Sequence, residues 1–238
     1  LLALPTLPDG VPVIRLEDAG MAIQMAEYVT LAVLRLYREA DAYATQQREG
    51  RWQPRWRIAK SGFGVGILGF GMLGQSVAHA IAPFGFPLRA WSHSRKVAAG
   101  VESFAGRAEL PSFLAVSRVL VCLLPSTPQT RELLSGDTLA ALPRGAHVVN
   151  VARGDIVVDD DLVAALDRGQ LDSATLDVFR DEPLPPAHPF WHHPRITLTP
   201  HVSAATLVED SVAQVAGKIR RLERGEPVSG IVDGARGY

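Results

Sequence analysis

The sequence has few of the features that mark secreted or membrane-bound proteins. Among its 238 residues Cys122 is the one cysteine, so an internal disulfide cannot form. Cys122 lies in the apolar run 119–124, which is typical of a buried thiol in a reducing compartment. No apolar run approaches the roughly 20 residues of a membrane-spanning helix, and the first residues lack the basic segment of a signal peptide. We therefore expect a cytoplasmic protein without a membrane partner.

An excess of charge of one sign is also missing. The chain has 24 Lys and Arg against 25 Asp and Glu, for a net charge of −1. A nearly neutral chain creates no field that attracts nucleic acid, although residues 51–60 interleave basic and aromatic side chains as some nucleic-acid-binding segments do. We interpret this segment as a solvated connector and expect no nucleic acid partner. The hydrophobic content of 47% is typical of a globular chain with one full core.

Glycines are concentrated after the apolar run 64–68, in the spacing Gly69-x-Gly71-x-x-Gly74. The pattern predicts a strand, a tight turn and a helix. A turn without Cβ atoms at Gly69 and Gly71 lets a pyrophosphate approach the N-terminus of the helix, while Gly74 lets the helix pack closely on the strand. We therefore predict a dinucleotide site here, with Met72 and Leu73 also among the cofactor-binding residues.

Predicted strands and helices alternate through the rest of the chain. The strands are expected at residues 87–91, 119–124, 147–151, 174–178 and 196–199, and the helices at 110–117, 136–142, 160–168 and 206–224. This alternation predicts an α/β fold with a doubly wound parallel sheet, the Rossmann architecture.

The chain before the glycine turn has a different pattern. Residues 21–49 contain neither Gly nor Pro, and apolar residues recur every three to four positions, so we predict one long helix with Asp18 as its N-cap. Its apolar surface extends over more than one side, which fits either burial within one domain or a subunit interface. A short strand is predicted at residues 11–16.

The cofactor preference is predicted from the end of the second strand. A carboxylate in this position usually bonds the adenosine ribose of NAD, but here the strand is followed by Ser92, His93, Ser94, Arg95 and Lys96. Hydroxyl groups and cations suit a 2′-phosphate. We therefore favour NADP(H), with NAD(H) as the alternative if Arg95 and Lys96 are merely exposed charges.

Three polar residues follow the carboxyl ends of predicted strands, where open α/β sheets bind ligands: Arg153, Glu182 and His201. Such a set can reduce a 2-keto acid. Arg153 would bind the substrate carboxylate and polarise the carbonyl, His201 would donate a proton, and Glu182 would keep the imidazole charged.

A metal site is a weaker interpretation. His188, His192 and His193 lie close together, but Pro189 and Pro194 indicate a rigid loop, and no Cys or acidic residue stands in the adjacent positions. We expect no metal.

These motifs resemble the D-isomer-specific 2-hydroxyacid dehydrogenase family. The resemblance extends over essentially the whole chain and rests on the glycine turn at 69–74 and on residues 123–130, 150–154, 176–179 with 182–184, and 199–202. Within the family, residues 91–96, 104–107 and 232–238 are most similar to the glyoxylate/hydroxypyruvate reductase A group.

The resemblance implies NADPH-dependent reduction of glyoxylate or hydroxypyruvate by a homodimer, with Arg153, Glu182 and His201 catalytic. It further implies cofactor contacts at six other residues. Asp177 would lie near the nicotinamide carboxamide, Pro125, Thr130 and Leu124 would border the cofactor, and so would Val151 and Ala152. His93 stands where that group often has Arg.

The resemblance also implies a division of the chain. Residues 1–20 would be a remnant of a flavodoxin-like substrate domain, 21–205 the dinucleotide-binding domain with 21–49 as a dimer arm, and 206–238 a segment returning to the substrate domain. Nothing before residue 11 resembles the family's substrate lobe, so the sequence is similar to a truncated member. We expect it to bind NADPH but to reduce glyoxylate poorly or not at all.

Two other classes of protein are alternatives for a dinucleotide-binding chain. A short-chain dehydrogenase needs Tyr and Lys four residues apart, and none of the three lysines has such a Tyr. A non-catalytic dinucleotide-binding scaffold or sensor on the same fold remains the alternative.

Overall fold

A computed structural model of the chain describes residues 11–56 and 59–232. Seven strands form one parallel sheet in the order β3-β2-β1-β4-β5-β6-β7. The strands are β1 (Val65–Leu68), β2 (Leu88–Ser92), β3 (Val101–Ala105), β4 (Val119–Cys122), β5 (Ala146–Asn150), β6 (Leu171–Leu176) and β7 (Ile196–Leu198). The predicted doubly wound parallel sheet is confirmed.

Seven helices accompany the sheet. They are α1 (Met21–Tyr37), α2 (Ala40–Arg48), α3 (Met72–Ile81), α4 (Gly106–Ala115), α5 (Gly136–Ala140), α6 (Asp159–Asp167) and α7 (Val208–Glu223) among the described residues, with short 3-10 segments at Lys60–Gly62, Ala82–Phe84, Gly154–Ile156 and Pro189–His192. Within residues 11–56 and 59–232, no helix is both long enough and apolar enough to cross a bilayer.

The core has two halves, one on each face of the sheet. Side chains alternate along a strand, so Leu120 and Cys122 of β4 enter the half that α4 and α6 cover, while Val119 and Val121 enter the half that α1 and α3 cover. Both halves exclude water, which explains why these strands are unbroken apolar runs in the sequence.

The prediction of one helix over residues 21–49 is wrong. Helix α1 ends at Tyr37, and Glu39 adopts a left-handed backbone with φ 54° before α2 begins. Two ion pairs stabilise the break: the Glu39 carboxylate pairs with Arg55 of the connector, and Arg35 Nε donates to Asp41 Oδ1 at 2.8 Å. Arg35 and Asp41 lie on either side of the break, and Arg55 is the one partner that lies outside residues 21–49.

The start of α1 also differs from the prediction. Gly20 occupies the N-cap position with φ 76°, where a Cβ would lie 2.5 Å from the Leu207 side chain. Asp18 still contributes, because its Oδ1 accepts the Ala22 N–H at 2.9 Å.

The strands of the structure differ from the predicted strands in two places. Strand β3 at the edge of the sheet was not predicted, because residues 101–105 lack the apolar run that a doubly buried strand shows. The strand expected at residues 11–16 is reduced to one antiparallel bridge between Ile14 and Ile231, flanked by the bond from Arg15 N–H to Gly230 O at 2.9 Å. The two ends of the described chain therefore meet.

Helix α7 lies beside this bridge with no fully buried residue. Its Lys218 ammonium donates to Arg15 O and to Ser229 O, both at 2.9 Å. The predicted boundaries at 1–20 and 206–238 fall partly on residues 1–10 and 233–238, which lie outside the described residues.

Candidate active site

The glycine turn lies at the carboxyl edge of the sheet, directly after β1. Gly69 has φ 109°, and a Cβ there would lie 2.7 Å from the main-chain carbon of Leu123. A Cβ on Gly74 would lie 2.3 Å from Gly69 O, so α3 contacts the turn through bare backbone. Both glycines are therefore required by the packing of the turn itself.

Gly71 is different, because a Cβ there would meet nothing within 4 Å. The space before α3 is open, no side chain caps the helix, and the amides of Met72 and Leu73 have no intrahelical acceptor. The strand order reverses between β1 and β4 at this point, where such sheets bind ligands. The turn therefore fits the pyrophosphate of a dinucleotide.

The loop after β4 borders the same edge. Leu124 is nearly buried, and the Thr130 hydroxyl donates to Pro125 O at 2.6 Å while its oxygen accepts the Thr127 N–H at 2.8 Å. These bonds give the 125–130 loop a defined shape beside the glycine turn.

The residues predicted to select the cofactor follow β2. Ser92 is 9% exposed and its hydroxyl donates to Ser94 O at 2.8 Å. Arg95 has its guanidinium bonded to Glu109 and to Ser103 O, so it lies along the edge strand β3. In the described part of this loop, the side chains of His93 and Lys96 are exposed and form no hydrogen bond or ion pair.

Arg107 is a cation here that the sequence reasoning missed. A Cβ on its neighbour Gly106 would lie 3.9 Å from His93 O, and Trp91 Nε1 donates to Gly106 O at 2.9 Å. The exposed Arg107, the second residue of α4, therefore lies beside the loop of the predicted phosphate contacts. A cation two residues after an edge strand was the available signal, but that strand was not predicted.

His201 and Glu182, which the sequence placed beyond two different strands, are in contact. The distance from His201 Nδ1 to Glu182 Oε2 is 2.7 Å, and Glu182 Oε1 accepts the Phe179 N–H at 2.9 Å. Partial burial raises the pKa of Glu182, but the bonds from His201 and Phe179 and the charges of His201 and Arg153 outweigh it and lower that pKa below its ordinary value. The pair is therefore arranged as a carboxylate supporting an imidazole.

Arg153 reaches the same edge from the loop after β5. Asn150 is 1% exposed and shapes this loop, because its amide donates to Arg153 O at 3.0 Å and its oxygen accepts the Ala152 N–H at 3.1 Å. Val151 and Ala152 are buried in this turn. Asn150 is a further residue that sequence reasoning did not assign, although a buried Asn at a strand end is a recognisable signal.

Asp177, after β6, is fully buried. Its carboxylate accepts the Thr199 hydroxyl at 2.5 Å, the Val202 N–H at 2.9 Å and the Ser203 N–H at 2.8 Å. Its main-chain oxygen accepts the His201 N–H at 2.8 Å. The oxygen atoms of Asp177 thus bind the loop that carries His201, while its N–H donates to Asn150 O of β5 at 3.0 Å.

Two of the three histidines named as possible metal ligands, His188 and His193, pair with different aspartates. His188 Nε2 is 3.4 Å from Asp159 Oδ2, and His193 Nε2 is 3.3 Å from Asp167 Oδ1. Across residues 11–56 and 59–232, no group of three His, Cys, Asp or Glu side chains is close enough to bind a metal ion.

The sequence profile of the D-isomer specific 2-hydroxyacid dehydrogenase NAD-binding domain matches residues 30–203. The chain belongs to this family. Among its dehydrogenase relatives, glyoxylate/hydroxypyruvate reductase A of Yersinia enterocolitica is 49% identical over 233 residues, which cover 98% of this chain and 74% of the reductase. The predicted resemblance to this family and group is confirmed.

Solved structures of 2-hydroxyacid dehydrogenases have the same fold as this chain. One from Xanthobacter autotrophicus Py2, in complex with NADPH and MES, superposes with a TM-score of 0.95 at 44% identity, covering 100% of this chain and 98% of that one. The NADPH-dependent glyoxylate/hydroxypyruvate reductase of Sinorhizobium meliloti, with NADP and sulfate, has a TM-score of 0.95 at 37% identity and covers 100% and 76%. Both the sequence and the fold of this chain are therefore similar to those of 2-hydroxyacid dehydrogenases.

Proposed function

We propose that this chain binds NADP(H) and supplies the catalytic residues for the reduction of a small 2-keto acid, glyoxylate or hydroxypyruvate, to the 2-hydroxy acid, with the slow turnover expected from the sequence. The observation that carries the proposal is the 2.7 Å contact between His201 and Glu182 at the sheet edge that also bears the glycine turn. The relative from Yersinia enterocolitica is named for these substrates, and two solved relatives contain NADPH or NADP.

Arg153, Glu182 and His201 have distinct roles in this proposal. A bound nicotinamide would supply the hydride that the substrate carbonyl carbon accepts. The Arg153 guanidinium binds the substrate carboxylate and polarises the carbonyl. Because His201 Nδ1 faces Glu182, Nε2 is the atom that donates a proton to the carbonyl oxygen. Glu182 stabilises the charged imidazole before the transfer.

The cofactor would lie along the carboxyl edge. Its pyrophosphate would contact Gly69, Gly71, Met72, Leu73 and Gly74, and its 2′-phosphate the segment 92–96. The nicotinamide end would be bordered by the remaining predicted contacts: Leu124, Pro125, Thr130, Val151, Ala152 and Asp177.

Single-turnover oxidation of bound NADPH by glyoxylate and by hydroxypyruvate tests the reaction. His201→Asn should abolish NADPH oxidation without weakening NADPH binding, because the amide cannot donate a proton in the same way. His192→Asn, the same change at an exposed histidine away from this edge, is the matched control and should react like the wild type. NADPH that binds but is never oxidised would instead support a non-catalytic sensor.

Titration with NADPH and with NADH tests the cofactor. We expect NADPH to bind more tightly, and Ser92→Asp to shift the preference toward NADH by repelling the 2′-phosphate. Ser211→Asp adds the same charge on α7 and should leave the ratio unchanged. If Ser92→Asp also leaves the NADPH to NADH ratio unchanged, the assignment of this loop is wrong.

We further propose a homodimer built on the dinucleotide-binding domain. Support comes from exposed apolar side chains around α1 and the connector: Leu31 is 67% exposed, Trp52 97% and Trp56 93%. Burying such side chains favours association. Light scattering should give a dimer mass, and Leu31→Asp should shift it toward the monomer, whereas Val97→Asp, at a still more exposed site after β2, should not.

A further inference from the structure

The backbone at His201 is in an unusual conformation. Its φ of 56° lies in the left-handed region, which is unfavourable for a residue with a Cβ. Residues in such conformations persist where the surrounding structure determines them, and they cluster at functional sites. Most of the main-chain bonds around His201 lead to one residue, Asp177, which accepts the N–H groups of His201, Val202 and Ser203, while the His201 N–H also lies 3.1 Å from Thr199 O.

The charge of the Asp177 carboxylate is stabilised by hydrogen-bond donors, one of which is a hydroxyl group. Asp177 is fully buried, and within the described residues it has no cationic partner, so hydrogen-bond donors must stabilise its charge. Besides the Val202 and Ser203 amides, the third donor to its carboxylate is the Thr199 hydroxyl at 2.5 Å. Losing one donor would leave a buried carboxylate partly unsatisfied, which is costly.

The donors can be assigned along this chain of bonds. Tyr28 Oη lies 2.5 Å from Thr199 Oγ1. A threonine hydroxyl has one proton, and Thr199 gives it to the Asp177 carboxylate, which can only accept. Tyr28 must therefore donate to Thr199. Burial and the Asp177 charge raise the pKa of Tyr28 despite the bond to Thr199, so the donor stays protonated.

Tyr28 connects the site to a distant part of the chain. It lies on α1, 171 residues before Thr199, and α1 packs on α3 through buried residues that include Met25 and Val29. The hydroxyl is thus fixed by a packed helix rather than by a loop. A chain of aligned hydrogen bonds in a buried setting strengthens each member.

We infer that Tyr28 and Thr199 are positioning residues, which orient the Asp177 carboxylate and, through it, the main-chain bonds that present His201 to Glu182. This inference rests on the proposed function, because the consequence of the network is proton donation by His201. Neither residue contacts the reacting atoms.

The test compares Thr199→Val, Thr199→Ser and Tyr28→Phe in the 238-residue chain. The first readout is amide hydrogen exchange at Val202 and Ser203. One lost hydrogen bond corresponds to roughly five- to tenfold in local opening, so we expect exchange about tenfold faster in Thr199→Val and about fivefold faster in Tyr28→Phe. Thr199→Ser keeps the hydroxyl and should exchange like the wild type.

The second readout is single-turnover NADPH oxidation with glyoxylate. We expect the oxidation rate to fall about tenfold in Thr199→Val and by a smaller factor in Tyr28→Phe, and to equal the wild-type rate in Thr199→Ser. The NADPH dissociation constant should stay within about twofold of the wild-type value in all three variants. If Thr199→Val does not fold, Tyr28→Phe decides, since it removes one half-buried hydroxyl.

Several results would overturn the inference. The first is amide exchange at Val202 and Ser203 that is unchanged in Thr199→Val and Tyr28→Phe, and the second is faster exchange without slower NADPH oxidation. The third is a slower oxidation rate that Thr199→Ser does not restore. The fourth is an equal loss of amide protection at Val121 in the central strand, which would indicate general destabilisation. A wild-type chain that binds NADPH without oxidising it would contradict the proposed function instead, while the exchange comparison would still decide the network.

Discussion

Replacing Gly154 with alanine should force apart the two loops that carry Arg153 and Glu182. A Cβ at position 154 would lie 1.9 Å from the main-chain carbon of Phe179 and 2.2 Å from Arg180 N. These are backbone atoms, which cannot rotate away. Non-bonded carbon atoms are favourably spaced at about 3.5–4.0 Å, so one loop must move by roughly 1.5 Å.

The movement reaches the catalytic pair because Glu182 Oε1 accepts the Phe179 N–H at 2.9 Å. Displacing Phe179 displaces Glu182 relative to Arg153, which adjoins Gly154. A misplacement of about 1 Å can cost about 10²-fold in rate, and we expect a loss of that order. Overpacking also costs typically about 1–3 kcal/mol, which in a chain of this size lowers the melting temperature by about 2–12 °C.

Single-turnover NADPH oxidation and thermal unfolding measure the two effects. Gly217→Ala is the matched control, because Gly217 lies inside α7 and a Cβ there would meet nothing within 4 Å. That variant should react like the wild type and be as stable or up to about 1 kcal/mol more stable. A Gly154→Ala chain with the wild-type rate and melting temperature would refute this reasoning.

Three further predictions concern titratable groups. Burial lowers the pKa of His147 from 6.5 to about 4, against the opposing charge of Asp172, so the folded chain should lose up to about 3 kcal/mol in unfolding free energy as pH falls from 6.5 to 4. Urea unfolding should show this slope, and His147→Gln should flatten it. Glu182→Gln should slow NADPH oxidation by about 10²-fold at unchanged NADPH affinity, because the neutral amide no longer stabilises a charged His201. Burial raises the pKa of Cys122 to about 12, so a thiol reagent at pH 8 should label it only as fast as the chain unfolds.

The central part of the fold could be predicted because its signals are local. Strands β4 and β5 are buried on both faces, and their sequences are apolar without interruption. Edge strand β3 is paired on one side only, so it needs no such run and was missed. The break between α1 and α2 was missed for a related reason: Glu39 pairs with Arg55, which is not visible in the periodicity of the helix.

The sequence was sufficient to predict which residues form the candidate site, but not how these residues are arranged in space. The positions of Arg153, Glu182 and His201 after three strands follow from the chain pattern, because parallel strands end at one edge. The left-handed backbone at His201 and the engagement of Arg95 by Glu109 do not, since both depend on bonds to other loops.

By itself the sequence determined the parallel sheet, the glycine turn and the family, because apolar periodicity, missing Cβ atoms and short motifs are properties of neighbouring residues. Which distant groups meet depends on how the separate elements pack together. His201 reaches Glu182 across 19 residues and Tyr28 reaches Thr199 across 171, and a bare Gly154 lets two loops touch. The physical reason is that such contacts depend on where separate strands and helices end in space, which no local pattern specifies.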